Sequence, residues 1–152
     1  MKRLHFSIQI KSQPHIIYHA LTDSEQFAIW SNVFDPNSHV EGSWEKGSLV
    51  RFMTYDSTGK LCGLLSRVRD NIPNRKIHLD HVGVLEDGLE IFEGPEVDKI
   101  KGASEIYHIL PQREHTLLEV ESDAIMDLDS YLNQTWPLAL EKLKELCENL
   151  NT

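Results

Sequence analysis

The sequence predicts an α+β fold: a curved antiparallel sheet, two short helices after the first strand, and one long C-terminal helix packed across the sheet. Three observations carry this reading. From Tyr131 to Leu150 the apolar residues Leu132, Trp136, Ala139, Leu140, Leu143, Leu146, Cys147 and Leu150 recur at helical spacing, one stripe on a long helix. Much of the chain before it alternates apolar and polar residues, as half-buried strands do. Turn residues punctuate those strands at Asp56-Ser57-Thr58-Gly59 and Pro73-Asn74. A striped helix above such a sheet must bury its stripe against it, and the space between the two can become a ligand pocket.

The elements follow in order. Leu4, Phe6, Ile8 and Ile10 alternate with His5, Ser7, Gln9 and Lys11, a first strand. Pro14 opens a helix, where its missing amide costs nothing, and Ile16, Ile17, Ala20 and Leu21 form the buried side. Thr22, Asp23 and Ser24 are cap-type residues that end this helix and start a second, which carries Phe27 and Trp30. Residues 31–43 read as a loop turning at Asp35-Pro36-Asn37, with a short strand at Val40 to Trp44. A hairpin of Leu49–Tyr55 with Lys60–Asp70 follows, with Phe52 opposite Leu64. That register puts Val50, Phe52, Leu64, Ser66 and Val68 on one face, and Arg51, Arg67 and Arg69 on the other.

In the strand from Arg75 to Val84, Ile77, Leu79 and His81 face one way, and His78 and Asp80 the other. Leu85 to Gly102 reads as a long acidic excursion with one helical turn near Glu96 to Ile100. Ala103–Leu110 and Thr116–Ala124 form a second hairpin, in which the reading matches Leu118 with His108 and Val120 with Ile106. Asp127 and Asp129 suit the positive end of the last helix. Pro137 lies within it and forfeits the bond to the Asn133 carbonyl, unless the ordered helix starts near Thr135.

Composition bounds the function. The 152 residues suit one domain, 1–152, large enough to build a core without staples. A net charge of −9 with no Lys/Arg cluster argues against nucleic acid. No apolar run approaches a membrane span and no signal region opens the chain, so a cytoplasmic location and no membrane association are expected. Cys62 and Cys147 read as small hydrophobes. Glu86, Asp87, Glu90, Glu93, Glu96 and Asp98 read as a solvated surface, since they lack the ligand pattern of a calcium loop.

Several segments together resemble one superfamily. They are Pro14 with Ala20-Leu21-Thr22-Asp23 and Trp30; Glu41-Gly42-Ser43-Trp44 with Lys46-Gly47-Ser48; and Pro73-Asn74-Arg75 with Ile77-His78-Leu79-Asp80-His81-Val82-Gly83. Gly102-Ala103-Ser104-Glu105-Ile106-Tyr107 and Thr135-Trp136-Pro137-Leu138-Ala139-Leu140-Glu141-Lys142-Leu143-Lys144 complete the set. In this order they resemble the helix-grip superfamily of START domains and birch-pollen allergens, also called SRPBCC. The bacterial branch related to the activator of the heat-shock protein 90 ATPase is the nearer likeness. The resemblance implies a fold and a cavity, and no particular activity. It also raises two macromolecular partners to test, a second copy of the chain in a homodimer and a chaperone.

The resulting expectation is a small hydrophobic or amphipathic ligand held between the sheet face (Phe52, Leu64, Leu79, His81, His108) and the long helix (Trp136, Leu140, Leu143). Tyr131 and Trp136 are assigned to its mouth. His81 and His108 would supply hydrogen bonds or move a proton, although a satisfied core histidine is the commoner case. No catalytic residue, metal or cofactor is assigned. His15 and His19 are four apart on a helix but lack a third ligand, and His78 and His81 point to opposite faces. No nucleophile elbow or phosphate loop is present. A second reading is an interaction module presenting the acidic excursion to a chaperone. A third is a cyclase- or aromatase-like enzyme using His81 or Glu105 as acid/base, with the side of the sheet that Glu105 and Tyr107 face left open.

Overall fold

A computed structural model describes residues 1–150, so the last two residues of the expected domain lie outside the described residues. Strand β1 (Lys2–Ile10) is followed by helices α1 (Pro14–Thr22) and α2 (Ser24–Ser31). Asp23 ends the first helix and caps the second, its carboxylate accepting from the Gln26 amide at 3.0 Å. Strands β2 (His39–Gly42), β3 (Leu49–Tyr55), β4 (Leu61–Ile72) and β5 (Lys76–Glu86) come next. The acidic excursion holds a short strand β6 (Leu89–Ile91) and one helical turn α3 (Pro95–Asp98). Strands β7 (Ser104–Pro111) and β8 (Thr116–Ala124) lead into α4 (Asp129–Asn149).

The sheet is antiparallel in the order β1-β8-β7-β5-β4-β3-β2, with β6 added onto β5. Phe52 stands opposite Leu64, as its alternation predicts. Gly63 beside it has φ +155°, and a Cβ there would come within 1.9 Å of the Phe52 carbonyl oxygen, so this pairing admits only glycine. Between β4 and β5 the register shifts twice. One shift leaves Val82 unpaired between Leu65↔Gly83 and Ser66↔His81, which turns Leu85 to the outer face while His81 stays inside. There Leu85 joins Met53 and Leu65 in a small second core.

The main core lies between the inner face and the helices. It joins Ile77, Leu79, Tyr107, Ile109, Leu118 and Val120 of the sheet to Ile17, Leu21 and Trp30 of α1 and α2. Helix α4 adds Trp136, Ala139, Leu140, Leu143 and Cys147 along its stripe. Each large apolar side chain taken from water contributes about 1.5–3 kcal/mol of transfer free energy. Helix α4 runs unbroken through Pro137, so of the two readings offered for its start the earlier one holds. Its approach turns sharply at Met126 and Asp127, both at positive φ (52° and 57°).

The β7–β8 register corrects the sequence reading by one residue. Ile109 pairs with Leu118 and Tyr107 with Val120, around a turn closed by the Gln112 amide and the His115 carbonyl at 2.8 Å. A slip of one residue exchanges the two faces of a strand. Tyr107 and Ile109 therefore face the core, and His108 faces outward. The excursion is also more tightly held than a solvated loop: Val97 and Ile100 are buried.

Candidate functional site

The inner face of the sheet does not close completely against α4. A cavity of about 220 Å³ remains, lined by Phe27, Trp30, Ser31 and Phe34 from α2 and the segment after it, and by Ser38 before β2. The sheet contributes Phe52, Leu64, His81, Glu105 and Tyr107, and α4 contributes Leu132 and Trp136. Larger depressions exist, such as one of about 570 Å³ beside Met1, Lys99 and residues 124–127, which has no aromatic wall.

Trp136 organises the walls. Its ring lies 5.0 Å from Phe34, 6.0 Å from Phe6, 6.2 Å from Trp30 and 6.2 Å from Tyr107, centroid to centroid. The helical stripe places it, since Trp136 leads the run of Ala139, Leu140 and Leu143 onto the sheet. Trp30 is fixed separately by its indole N–H, which donates to the Ala20 carbonyl at 2.8 Å. The Trp136 indole N–H is buried and has no hydrogen-bond partner among the described residues.

Two polar pairs stand on the sheet side of this aromatic enclosure. The Tyr107 hydroxyl donates to Glu105 Oε2 at 2.7 Å. Residues of one parity share a face of a strand, which brings the two side chains together. Glu105 is enclosed by protein and keeps part of its surface open to the cavity. Burial raises its carboxyl above the ordinary glutamate range, against the opposing effect of the Tyr107 hydrogen bond. Burial, and then the charge of Glu105, push the Tyr107 phenol well above its usual value.

His81 forms the second pair, its Nδ1 sharing a hydrogen bond of 2.8 Å with Ser66 Oγ. Burial pulls its pKa down to about 4, outweighing the upward pull of Asp123 and Asp80. The imidazole facing the cavity is therefore neutral near pH 7. Its Nε2 makes no hydrogen bond among the described residues.

Of the pocket residues expected from sequence, Phe52, Leu64, His81 and Trp136 line this cavity. Leu79, Leu140 and Leu143 are packed in the adjoining core, with no lining surface. Tyr131 is exposed outside it; its hydroxyl donates to the Phe34 carbonyl at 2.7 Å and so ties α4 to a lining residue. His108 is on the wrong side of the sheet, where its Nε2 meets Glu121 Oε2 at 2.7 Å. The one-residue register shift is the physical reason. Glu105 and Tyr107 are what the reading left open. A two-residue hairpin loop at Arg113-Glu114, the commonest kind, would have found them by centring the hairpin one half-step later.

Among the described residues no three His, Cys, Asp or Glu side chains converge to hold a metal ion, and no helix is long and apolar enough to cross a membrane. Both cysteines are free; burial pushes the Cys147 thiol up to about 12.

This architecture recurs among solved structures. The solution structure of the Aha1 dimer from Colwellia psychrerythraea superposes with a TM-score of 0.71 at 22% identity, covering 97% of both chains. Protein MLL2253 from Mesorhizobium loti gives 0.70 at 17% identity, covering 99% of this chain and 100% of that one. Protein CV1439 from Chromobacterium violaceum gives 0.71 at 14% identity, covering 97% and 99%. The chain has the helix-grip fold. No family model matches the sequence, and no curated protein matches it. At these identities the likeness establishes the fold and leaves the ligand to be argued from the helix-grip cavity itself.

Proposed function

We propose that this chain is a cytoplasmic ligand-binding protein, one domain over residues 1–152, that holds a small hydrophobic or amphipathic molecule between its sheet and its C-terminal helix. The observation that carries the reading is the cavity: about 220 Å³, walled largely by aromatic rings, with a few polar side chains converging on it, His81, Glu105 and Tyr107 from the sheet and Ser31 and Ser38 from the segments opposite. Concave apolar sites with a few convergent polar groups are the usual form of small-molecule sites. The volume falls below the roughly 300–1,000 Å³ of drug-sized sites, so the molecule is small.

Native mass spectrometry of the protein as isolated from cells, with denaturing analysis of whatever co-purifies, tests this directly. Leu64→Trp places an indole in the cavity and is expected to abolish retention while circular dichroism stays native. Equal retention by Leu64→Trp and the native chain would move binding elsewhere.

The chaperone-partner reading is less well supported, because the acidic stretch is partly neutralised within the chain. Glu90 meets Arg51 at 2.6 Å and Glu96 meets Lys99 at 3.1 Å. A homodimer has more behind it: the Colwellia protein is described as a dimer, and β1 and β2 leave both ends of the sheet open. Light scattering after size-exclusion chromatography decides that point.

A further inference from the structure

The cavity's polar groups are asymmetric in charge. It has one carboxyl, Glu105, and no Lys or Arg among its lining residues. His81 also lines it but is neutral near pH 7, because burial holds its pKa at about 4. Among the described residues the only hydrogen bond to the Glu105 side chain comes from Tyr107. A buried carboxyl without a cation is costly when ionised and is ordinarily paired.

The walls have the same preference. Phe27, Trp30, Phe34, Phe52, Tyr107 and Trp136 surround the space, and aromatic rings stabilise cations through their quadrupoles. A purely apolar guest would strip the remaining solvent from Glu105 and offer nothing in exchange. An anionic guest would meet the carboxyl and the rings with the wrong sign. A net charge of −9 further concentrates cations around the molecule.

We infer that the guest is a small organic cation, an aryl- or alkyl-ammonium, whose positive nitrogen pairs with Glu105 inside the aromatic enclosure. This rests on the proposed ligand-binding reading and adds the sign of the ligand's charge to it. The ammonium supplies the counterion that the chain withholds, and Tyr107 keeps Glu105 Oε2 in place for it. Binding displaces any proton the Glu105 carboxyl still carries, so complex formation releases protons to the buffer. Affinity therefore rises with pH through the Glu105 titration until the amine itself loses its charge. His81 and Tyr107 are the other titratable groups lining the cavity; the first is already neutral and the second stays protonated across that range.

The test compares three probes of one shape by isothermal titration calorimetry on the full chain: 2-phenylethylamine, 2-phenylethanol and phenylacetate. The amine is expected to bind about 10- to 100-fold more tightly than the alcohol, the span of one charge-assisted hydrogen bond. Phenylacetate is expected to be weakest, and buffers of different ionisation heat should report proton release with the amine alone. Glu105→Gln should bring the amine down to the level of the alcohol. An alcohol that equals the amine, or phenylacetate binding tightest, overturns the cation assignment and leaves the cavity reading standing. If none of the three binds, the assignment also falls, and the co-purification experiment judges the cavity separately. Should Glu105→Gln fail to fold, the ranking of the three probes on the native chain decides by itself.

Discussion

Strands β5, β7 and β8 together carry ionisable residues on both faces of the sheet, under opposite terms. On the outer face two acids of β8 have found a base or several donors. Asp123 takes Arg3 at 2.9 and 3.1 Å and the Ser104 amide at 2.8 Å, and Glu121 takes His108 at 2.7 Å. On the inner face Glu105 has only a phenol and His81 only a hydroxyl. The pKa directions follow the pairing. Asp123 and Glu121 are lowered by their partners, while burial raises Glu105 and lowers His81, toward the neutral form in both cases. The outer groups hold strands together. The inner ones are left uncompensated where a guest can reach them, the usual mark of a functional position.

Titrating His81 is expected to give the largest effect. Its folded pKa is about 4 against an ordinary value near 6.5, so the folded state disfavours the charged ring. Its stabilising contribution is complete above about pH 6.5 and is lost as pH falls toward 4, roughly 3 kcal/mol in all. Urea denaturation between pH 7 and 4 should show the native chain losing about that much more stability than His81→Gln. Parallel curves for the two would mean that the imidazole is not enclosed as described.

Next in size is the outer face. Asp123→Ala strands the buried Ser104 amide and releases Arg3, and should cost about 2 kcal/mol in the same assay. A neutral result would remove the contrast between the faces.

The smallest effect has the opposite sign. Glu105→Gln deletes an uncompensated buried acid, so the variant should be more stable than the native chain by about 1 kcal/mol at pH 7. The sign follows from linkage. An acid whose folded pKa lies above its unfolded one destabilises the fold as pH rises past the ordinary glutamate range, and the gain should vanish at low pH. A loss of stability at pH 7 would make Glu105 a structural group and sharpen the comparison against function.

The architecture was legible because its signals are long and redundant. The α4 stripe repeats over several turns, and the Phe52–Leu64 hairpin is pinned by Gly59 at its turn and by matching alternation on both strands. The cavity was legible only where such a strand or helix reached it, at Phe52, Leu64, His81 and Trp136. The β7–β8 hairpin lacked an equivalent anchor. Ile106, Tyr107, His108, Ile109 and Leu110 are too uniformly apolar or amphipathic to declare a face. One residue of slip there put His108 inside on paper and left Glu105 and Tyr107 without a side. Apolar residues inside the acidic excursion were likewise hidden by their neighbours: Val97 and Ile100 are buried although Glu93, Glu96 and Asp98 surround them in sequence.

The chain has three tryptophans, and two of them, Trp30 and Trp136, face the same space from different helices. Their centroids are 6.2 Å apart, close enough for their excited states to interact. Any molecule that enters, and any charge that settles beside Glu105, changes the field around both indoles at once. The protein thus carries an optical gauge of its own occupancy, and its emission spectrum can follow filling and emptying of the cavity without a label.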